Sequence, residues 1–297
     1  MLSVYNADRP ETHELVAAMR SVLDEYTERV FIGEIYLSVK QLVSYYGKDL
    51  RGANLPFNFQ LILCAWNAEA IAQIVREYEA ALPVGAWPNW VLGNHDQARI
   101  ASRIGLDQAR VAAMLLLTLR GTPTIYYGEE IGMVNVPVPP AGVQDPAEKN
   151  EPGLGLGRNP ERSPMQWDNS PQAGFIKARP WVPLGKDHDK INVVSLSHQP
   201  DSILNLYRKL IRLRRENEAL ISGRIENLTT EGPLLRYHRT DDDTKSFVIL
   251  LNLGHEPQET AFGEGQIVIS TFLDREKELI NGKVSLRPAE GLVIKEI

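Results

Sequence analysis

The stretch WVLGNHD, residues 90–96, joins a short apolar run to three consecutive polar residues. An apolar run of this length that ends at a glycine is typical of a buried strand. Two further stretches have the same form, RVFIGEIY at residues 29–36 and TIYYGEE at residues 124–130, and NLPFNF at 54–59 is a weaker candidate. Helical patterns separate these runs. Because strands that alternate with helices favour a parallel sheet, we predict an α/β architecture for the first two thirds of the chain.

The predicted helices are amphipathic or apolar segments bounded by caps and glycines. They lie in residues 8–26, 38–47, 68–82, 107–120 and 203–215. Residues 132–190 are different, since they are rich in proline and glycine and show little periodicity. From about residue 219 the pattern changes to short alternating runs, at 234–238, 247–253, 267–272 and 292–297. Residues 219–297 are therefore predicted to form a small antiparallel β domain.

Polar groups follow the apolar strands at Glu34 and at His95-Asp96. In a parallel α/β barrel the loops after the strands form one mouth, where the active site is built. A carboxyl group at the end of an apolar strand is expected to be partly desolvated, which raises its pKa and suits a general acid. A carboxylate beside a histidine suits a polyhydroxylated substrate and a developing positive charge. From these residues alone, capping and turn formation remain the alternative interpretation, and Glu129 and Glu130 could equally hold backbone amides or an arginine.

Composition excludes several classes of partner. The net charge of -6 and the pI near 5.6 provide no basic face for nucleic-acid phosphates. The longest apolar run, residues 111–119, is far shorter than the roughly 20 residues that span a bilayer. The first residues lack the apolar core of a secretory signal, so we expect a cytoplasmic protein. The lone cysteine, Cys64, lies in an apolar segment and is interpreted as a buried thiol, and we expect no metal and no cofactor.

Four motifs occur in an order that resembles the α-amylase superfamily, glycoside hydrolase family thirteen. They are GEIYL at residues 33–37, VLGNHD at 91–96, GTPTIYYGEEIGM at 121–133 and RSPMQWD at 162–168. Along essentially the whole chain the sequence is similar to the second half of an α-glucosidase of the oligo-1,6-glucosidase and maltase type. The resemblance implies an incomplete (β/α)8 TIM barrel, about strands 5–8, in residues 1–218. It implies a small antiparallel β-sandwich domain in residues 219–297.

The resemblance also implies a retaining mechanism through a covalent glucosyl-enzyme intermediate. Glu34 matches the general acid/base at the end of the fifth barrel strand. Asp96 matches the aspartate that stabilises the transition state after the seventh strand, and His95 matches a histidine that hydrogen-bonds the sugar. Arg162 resembles the arginine that grips the non-reducing end of the glucose unit, although Arg158 in the same loop is an alternative. Arg99 either reaches a neighbouring subsite or lies on the surface.

One catalytic group of the family is missing from the sequence. Retaining glycosidases need two carboxyl groups about 5–5.5 Å apart, and the family's nucleophile is an aspartate in a Gly-Phe-Arg-x-Asp motif. That motif occurs nowhere in the 297 residues. We do not expect Asp96, Glu129 or Glu130 to replace it, so the chain alone is predicted to be inactive. Half a barrel would also expose strand edges and apolar residues, and a separate chain could supply the first half.

Three functional hypotheses follow from these residues. The first is a fragment or split half of a retaining α-glucosidase that hydrolyses short α-linked gluco-oligosaccharides, such as maltose or isomaltose type α-glucosides. The second is a non-catalytic remnant that binds sugar or serves as an interaction module. The third is half of a glucosyltransferase or isomerase of the same family.

Overall fold

The computed structural model describes residues 7–241 and 246–297, and its first part contains short parallel strands. Strand β1 (Ile32–Gly33) pairs in parallel with β2 (Leu55–Pro56), and β3 (Asn89–Val91) pairs in parallel with β4 (Thr122–Thr124). Helices separate these strands along the chain, so the predicted α/β alternation is confirmed. The hydrogen-bonded parts are shorter than the apolar runs that predicted them.

The last predicted strand of this region differs from the structure. Strand β4 ends at Thr124, and Glu129–Ile131 form a turn of 3-10 helix instead of extended chain. Gly128 and Gly132 flank that turn with φ of 86° and 71°, a left-handed conformation that glycine adopts without steric cost. These two glycines turn the chain inward and bring Glu129 beneath the end of β3.

The helices lie close to their predicted positions. Asn67 caps α4 (Ala68–Ala81) by accepting a hydrogen bond from the Ala70 amide. Helix α5 (Ile100–Thr118) begins well before the predicted residue 107, because a non-helical Gly105 joins two helical segments. The helices are α1 (Pro10–Leu23), α2 (Val39–Ser44), α3 (Gln60–Leu63), α4 (Ala68–Ala81), α5 (Ile100–Thr118), α6 (Pro146–Asn150), α7 (Val193–Ser197), α8 (Ile203–Glu216) and α9 (Glu218–Ile221).

The apolar run of residues 111–119 is the centre of the hydrophobic core. Residues 111–119 are all buried in and directly after α5, which packs against α8 and against the C-terminal sheet. One continuous hydrophobic core therefore crosses the predicted boundary at residue 218.

Within the described residues, no helix has the length and apolar character needed to cross a membrane.

The C-terminal region is antiparallel, as predicted, with two strands that the sequence pattern did not reveal. Its strands are β5 (Arg224–Glu231), β6 (Leu234–Thr240), β7 (Ser246–Asn252), β8 (Gln258–Ser270), β9 (Leu279–Leu286) and β10 (Gly291–Glu296). They form one sheet in the order β5-β6-β7-β10-β8-β9. The unpredicted strands, β5 and β9, form its two edges, where most side chains are exposed. Strand β5 has only two apolar residues, and in β9 Asn281 and Gly282 interrupt the apolar pattern.

The predicted β-sandwich requires correction, because the strands form one hydrogen-bonded sheet and not two. This sheet curls on itself, so that the start of β8 meets strands that lie far from it in the hydrogen-bonded order. Thr260 in β8 donates to Glu231 at 3.0 Å, and the Arg236 guanidinium lies 5.3 Å from the centre of the Phe262 ring. The length of β8, 13 residues, and the register shift beside Ala261 allow this curvature.

Helix α1 leaves an apolar face exposed. Leu15, Met19 and Val22 recur at helical spacing and are each more than half exposed, and α1 buries none of its residues. Ile32 in the neighbouring strand β1 is also half exposed. Large apolar side chains at this spacing mark a surface that is suited to contact with another polypeptide.

Candidate active site

The ends of β1 and β3 bring three polar side chains together. One ligand atom of Glu34, one of His95 and one of Asp96 all lie within 4.8 Å of one another. Parallel strands end at a common edge, which explains why residues more than 60 positions apart in the chain converge here. Two carboxylates and an imidazole can hold sugar hydroxyls or share a cation, and these three atoms alone do not distinguish the two.

Asp96 is the centre of the charged contacts in this group. Its Oδ1 accepts hydrogen bonds from Arg158 Nη1 and from Arg162 Nη2, each at 3.0 Å. The His95 Nε2 atom lies 3.4 Å from the same oxygen. Arg162 Nε also donates to the His95 carbonyl at 3.0 Å. Both arginines that the sequence offered for this site therefore reach the same carboxylate.

A compact turn orients Asp96. Asn94 accepts a hydrogen bond from the Asp96 amide at 3.0 Å, and its side-chain amide donates to the Tyr36 hydroxyl. The Tyr36 ring stacks on Phe59 with ring centres 4.1 Å apart. Burial raises the pKa of Tyr36, although the hydrogen bond from Asn94 opposes that shift.

Tyr36 is a site residue that the sequence analysis missed. It follows Glu34 by two positions, and residues two apart in extended chain point to the same side. That spacing, applied to the end of the first predicted strand, would have placed Tyr36 beside the acid. Its contact with Asn94 links the turn after β3 to the segment after β1.

Glu34 is exposed, which corrects the expectation that it is partly desolvated. Strand β1 pairs with β2 alone among the residues that the structure describes, so its other edge is open. An open edge leaves the side chain that follows the strand in contact with solvent. The surroundings that would bury this carboxyl group are not provided by residues 7–241 and 246–297.

Arg99 occupies neither of its two predicted positions, a neighbouring subsite or the surface. Its side chain is completely buried, and its Nη1 donates to the Tyr127 carbonyl at 2.5 Å. The guanidinium lies 5.0 Å from the centre of the Tyr126 ring and 4.6 Å from that of Tyr127. Cation–π contacts with two rings and the carbonyl bond make Arg99 a support beneath the site, not a group that lines it.

Glu129 packs against Gly93, the residue that directly precedes the Asn94-His95-Asp96 turn. It is almost completely buried, and its Oε2 accepts a hydrogen bond from the Tyr126 amide at 3.2 Å. Burial raises the pKa of Glu129 to about 8, and the Tyr126 amide and the charges of Arg99 and Arg103 oppose that shift. This placement agrees with the interpretation that Glu129 holds backbone amides.

The long loop of residues 132–190 closes one side of the site. The Tyr126 hydroxyl donates to the Glu161 carbonyl at 3.2 Å, and the Tyr127 hydroxyl donates to the Ser163 carbonyl at 2.6 Å. These bonds fix the segment that carries Arg162. The loop therefore lies against the two tyrosines that follow β4 and presents its arginines to Asp96.

Comparison with known proteins gives one family match over most of the chain. A family model described as the alpha amylase catalytic domain matches residues 2–223. Maltase A1 of Drosophila melanogaster is 33% identical over 309 residues, which cover 98% of this chain and 52% of that protein. The chain thus spans about half the length of the curated relatives that it matches.

Two further proteins that are similar to this chain carry names of different kinds. The human amino acid transporter heavy chain SLC3A1 is 35% identical over 252 residues, which cover 82% of this chain and 36% of that protein. The crystal structure of XgtA, described as an alpha-glucosyl transfer enzyme, superposes with a TM-score of 0.86 at 27% identity. That superposition covers 97% of this chain and 55% of XgtA.

Proposed function

Because this chain belongs to the α-amylase family, as its four motifs predicted, we propose that it is half of a retaining α-glucosidase. Its substrates would be short α-linked gluco-oligosaccharides of the maltose or isomaltose type. The observation that carries the proposal is the convergence of Glu34, His95 and Asp96 at the ends of two parallel strands. Curated relatives named as maltases and α-glucosidases support the same substrate class.

In this proposal the strands β1 to β4 are about strands 5–8 of an eight-stranded barrel. Two parallel pairs separated by helices, and the position of the polar residues after β1 and β3, support that assignment. Residues 1–218 would then be the C-terminal half of the barrel, and residues 219–297 the all-β domain that follows it. The curled sheet supports the second assignment.

The site residues would divide the chemistry between them. Glu34 would protonate the leaving oxygen and later activate water, the two roles of the acid/base carboxyl group in a retaining enzyme. Asp96 would stabilise the positive charge that develops on the sugar ring. His95 and Arg162 would hold sugar hydroxyls. The nucleophile would come from polypeptide outside these residues, because the sequence holds no Gly-Phe-Arg-x-Asp motif.

The partner in this proposal is a polypeptide that supplies the first half of the barrel. The exposed face of α1, with Leu15, Met19 and Val22, and the open edge of β1 support such a contact. Closing the barrel would bury this apolar face and pair the open edge, both of which stabilise the fold. It would also bring a second carboxylate within reach of the anomeric carbon.

The test begins with the coding DNA immediately before the Met1 codon. We expect it to encode a Gly-Phe-Arg-x-Asp motif and the preceding barrel strands, in the same frame or one frameshift away. Co-expression of that half with this chain should then give hydrolysis of 4-nitrophenyl α-glucoside, and substitution of the motif's aspartate should abolish it. Unrelated upstream DNA, or a stable two-chain complex without hydrolysis, would overturn the proposal.

A non-catalytic role is the second candidate. The observation that favours it is the 35% identity to a protein named as a transporter heavy chain, together with the absent nucleophile motif. In that case sugar could still bind at His95, Asp96 and Arg162, and no pairing with another chain would give turnover.

Transfer of glucose is a third candidate, favoured by the superposition on an alpha-glucosyl transfer enzyme. Product analysis of the assembled enzyme, glucose against a new glucoside, separates transfer from hydrolysis.

A further inference from the structure

A buried carboxylate lies behind the charged contacts of Asp96. The Asp145 side chain has no exposed surface, and it accepts hydrogen bonds from Arg158 Nε at 2.8 Å and Arg158 Nη2 at 3.4 Å. Its Oδ2 also accepts the Arg158 amide at 3.0 Å. The hydrogen bonds from Arg158 hold the pKa of Asp145 well below its usual range. Asp145 is therefore a buried charge that is paired on one edge of a single guanidinium.

This pairing determines where the rest of the guanidinium points. Arginine donates in a rigid planar fork, so a carboxylate that takes the Nε–Nη2 edge fixes the direction of Nη1. In Arg158 that remaining nitrogen donates to Asp96 Oδ1 at 3.0 Å. We propose that Asp145 is a positioning residue that holds Arg158 against Asp96 and so keeps this carboxylate aimed into the sugar site.

The backbone around the pair is braced, which makes the arrangement rigid. Asn159 accepts hydrogen bonds from the Gln144 amide at 2.8 Å and the Asp145 amide at 3.0 Å. Asp145 Oδ1 accepts the Ala147 amide at 2.9 Å and caps α6. Residues 144–145 and 158–159 thus hold each other across a loop of irregular chain. The guanidinium of Arg158 is anchored at both ends of its donor fork.

Arg162 is held differently. Within the described residues its guanidinium bonds only to the His95 carbonyl and to Asp96, both of which belong to the site itself. Because its only carboxylate partner in the described residues is Asp96, Arg162 can turn toward a sugar hydroxyl by giving up a contact within the site alone. Arg158 then keeps Asp96 in place while Arg162 binds the sugar. This division of roles rests on the proposed function of the site.

The first experiment measures the arrangement without any sugar. In the 297-residue chain, the side-chain Nε–H signal of Arg158, observed by ¹⁵N NMR, should be protected from exchange with solvent. Asp145→Asn should remove that protection by tenfold or more while retaining the cap of α6, because asparagine caps helices as well as aspartate does. Asp189→Asn, an exposed acid in the same loop, is the matched control and should change nothing. Unchanged protection in Asp145→Asn would overturn the proposal.

The second experiment measures the consequence for the site, with 1-deoxynojirimycin as the probe and the assembled two-chain protein. Asp145→Asn should weaken its binding by about tenfold, and Arg158→Met should do the same. The double variant should be no weaker than either, because Asp145 acts through Arg158. A merely structural Asp145 would instead add its effect to that of Arg158→Met, which would overturn the proposal.

A further variant keeps the proposal testable if Asp145→Asn does not fold. Arg158→Lys retains the charge but cannot bridge two carboxylates through a fork. If Asp145→Asn does not fold, Arg158→Lys should show the same tenfold loss, and wild-type affinity in that variant would overturn the proposal. If the wild-type protein does not bind 1-deoxynojirimycin at all, the proposed sugar function fails, and the exchange measurement still decides whether Asp145 positions Arg158.

Discussion

Glu129 occupies the space that a β-carbon on residue 93 would need. A β-carbon built on Gly93 would lie 2.5 Å from Glu129 Oε1, much closer than such atoms approach in proteins. Gly93 ends the apolar run of β3 and precedes the Asn94-His95-Asp96 turn. The buried carboxyl group after β4 thus packs directly against Gly93, and any β-carbon at this position would have to displace it.

This contact predicts that Gly93→Ala destabilises the protein. The Glu129 carboxyl group would have to move, although burial and its bond from the Tyr126 amide restrict it, so we expect a loss of about 1–3 kcal/mol. Urea denaturation measures the free energy of unfolding. Gly263→Ala is the control, because a β-carbon at Gly263 meets no atom within 4 Å, and its effect should stay within about 0.5 kcal/mol. Equal effects of the two substitutions would contradict the packing argument.

The raised pKa of Glu129 predicts a pH dependence of stability. Its pKa is 4.5 unfolded and about 8 in the folded chain, so the native state binds the extra proton between these values. The contribution of Glu129 is thus fully present below pH 4.5 and is lost as the pH rises through 8. The charged or titratable groups facing it are Arg99, Arg103, Glu130 and Tyr207.

Comparison with Glu129→Gln isolates that contribution from the other groups. Glutamine cannot ionise, so the variant should lose less stability than the wild-type protein when the pH is raised from 5 to 8.5. Thermal unfolding in a series of buffers measures both curves. Parallel curves for the two proteins would show that Glu129 does not titrate in this range.

We predict that Arg99 stabilises the fold and does not contact substrate. Arg99→Lys would lose the planar guanidinium over Tyr126 and Tyr127, and we expect a destabilisation of about 1–3 kcal/mol. Arg212→Lys, at an exposed position in α8, should change stability by less than about 0.5 kcal/mol. Chemical denaturation measures both. If Arg99→Lys were as stable as the wild-type protein, the structural role of Arg99 would be contradicted.

Glu34 is predicted to act as the acid once the barrel is complete. In the assembled enzyme, Glu34→Gln should lower kcat for maltose by about 10²–10⁴-fold, because protonation of the leaving oxygen is lost. A glucoside whose leaving group needs no protonation, such as 2,4-dinitrophenyl α-glucoside, should be cleaved in the first step with little loss. Glu25→Gln, an exposed acid after α1, is the control. An equal loss for both substrates would argue against the acid/base role.

Local pattern predicted that Glu34, His95 and Asp96 each follow an apolar run, and the structure brings the three side chains together at the ends of β1 and β3. Pattern alone left capping and turn formation as an alternative role for them. The four motifs added the family. Neither kind of signal reveals which side chains become buried, because burial depends on partners far away in the chain. The contacts of Arg99 with Tyr126 and Tyr127 are of this kind.

The sequence by itself therefore determined the α/β order, the antiparallel C-terminal region and the family, since these depend on spacing and motif. Only the tertiary structure decided the single curled sheet, the exposure of Glu34 and the burial of Arg99, Glu129 and Asp145. The physical reason is that hydrogen bonding and desolvation are set by neighbours in space. Asp145 and Asp96 are 49 positions apart in the printed sequence, and one arginine joins them.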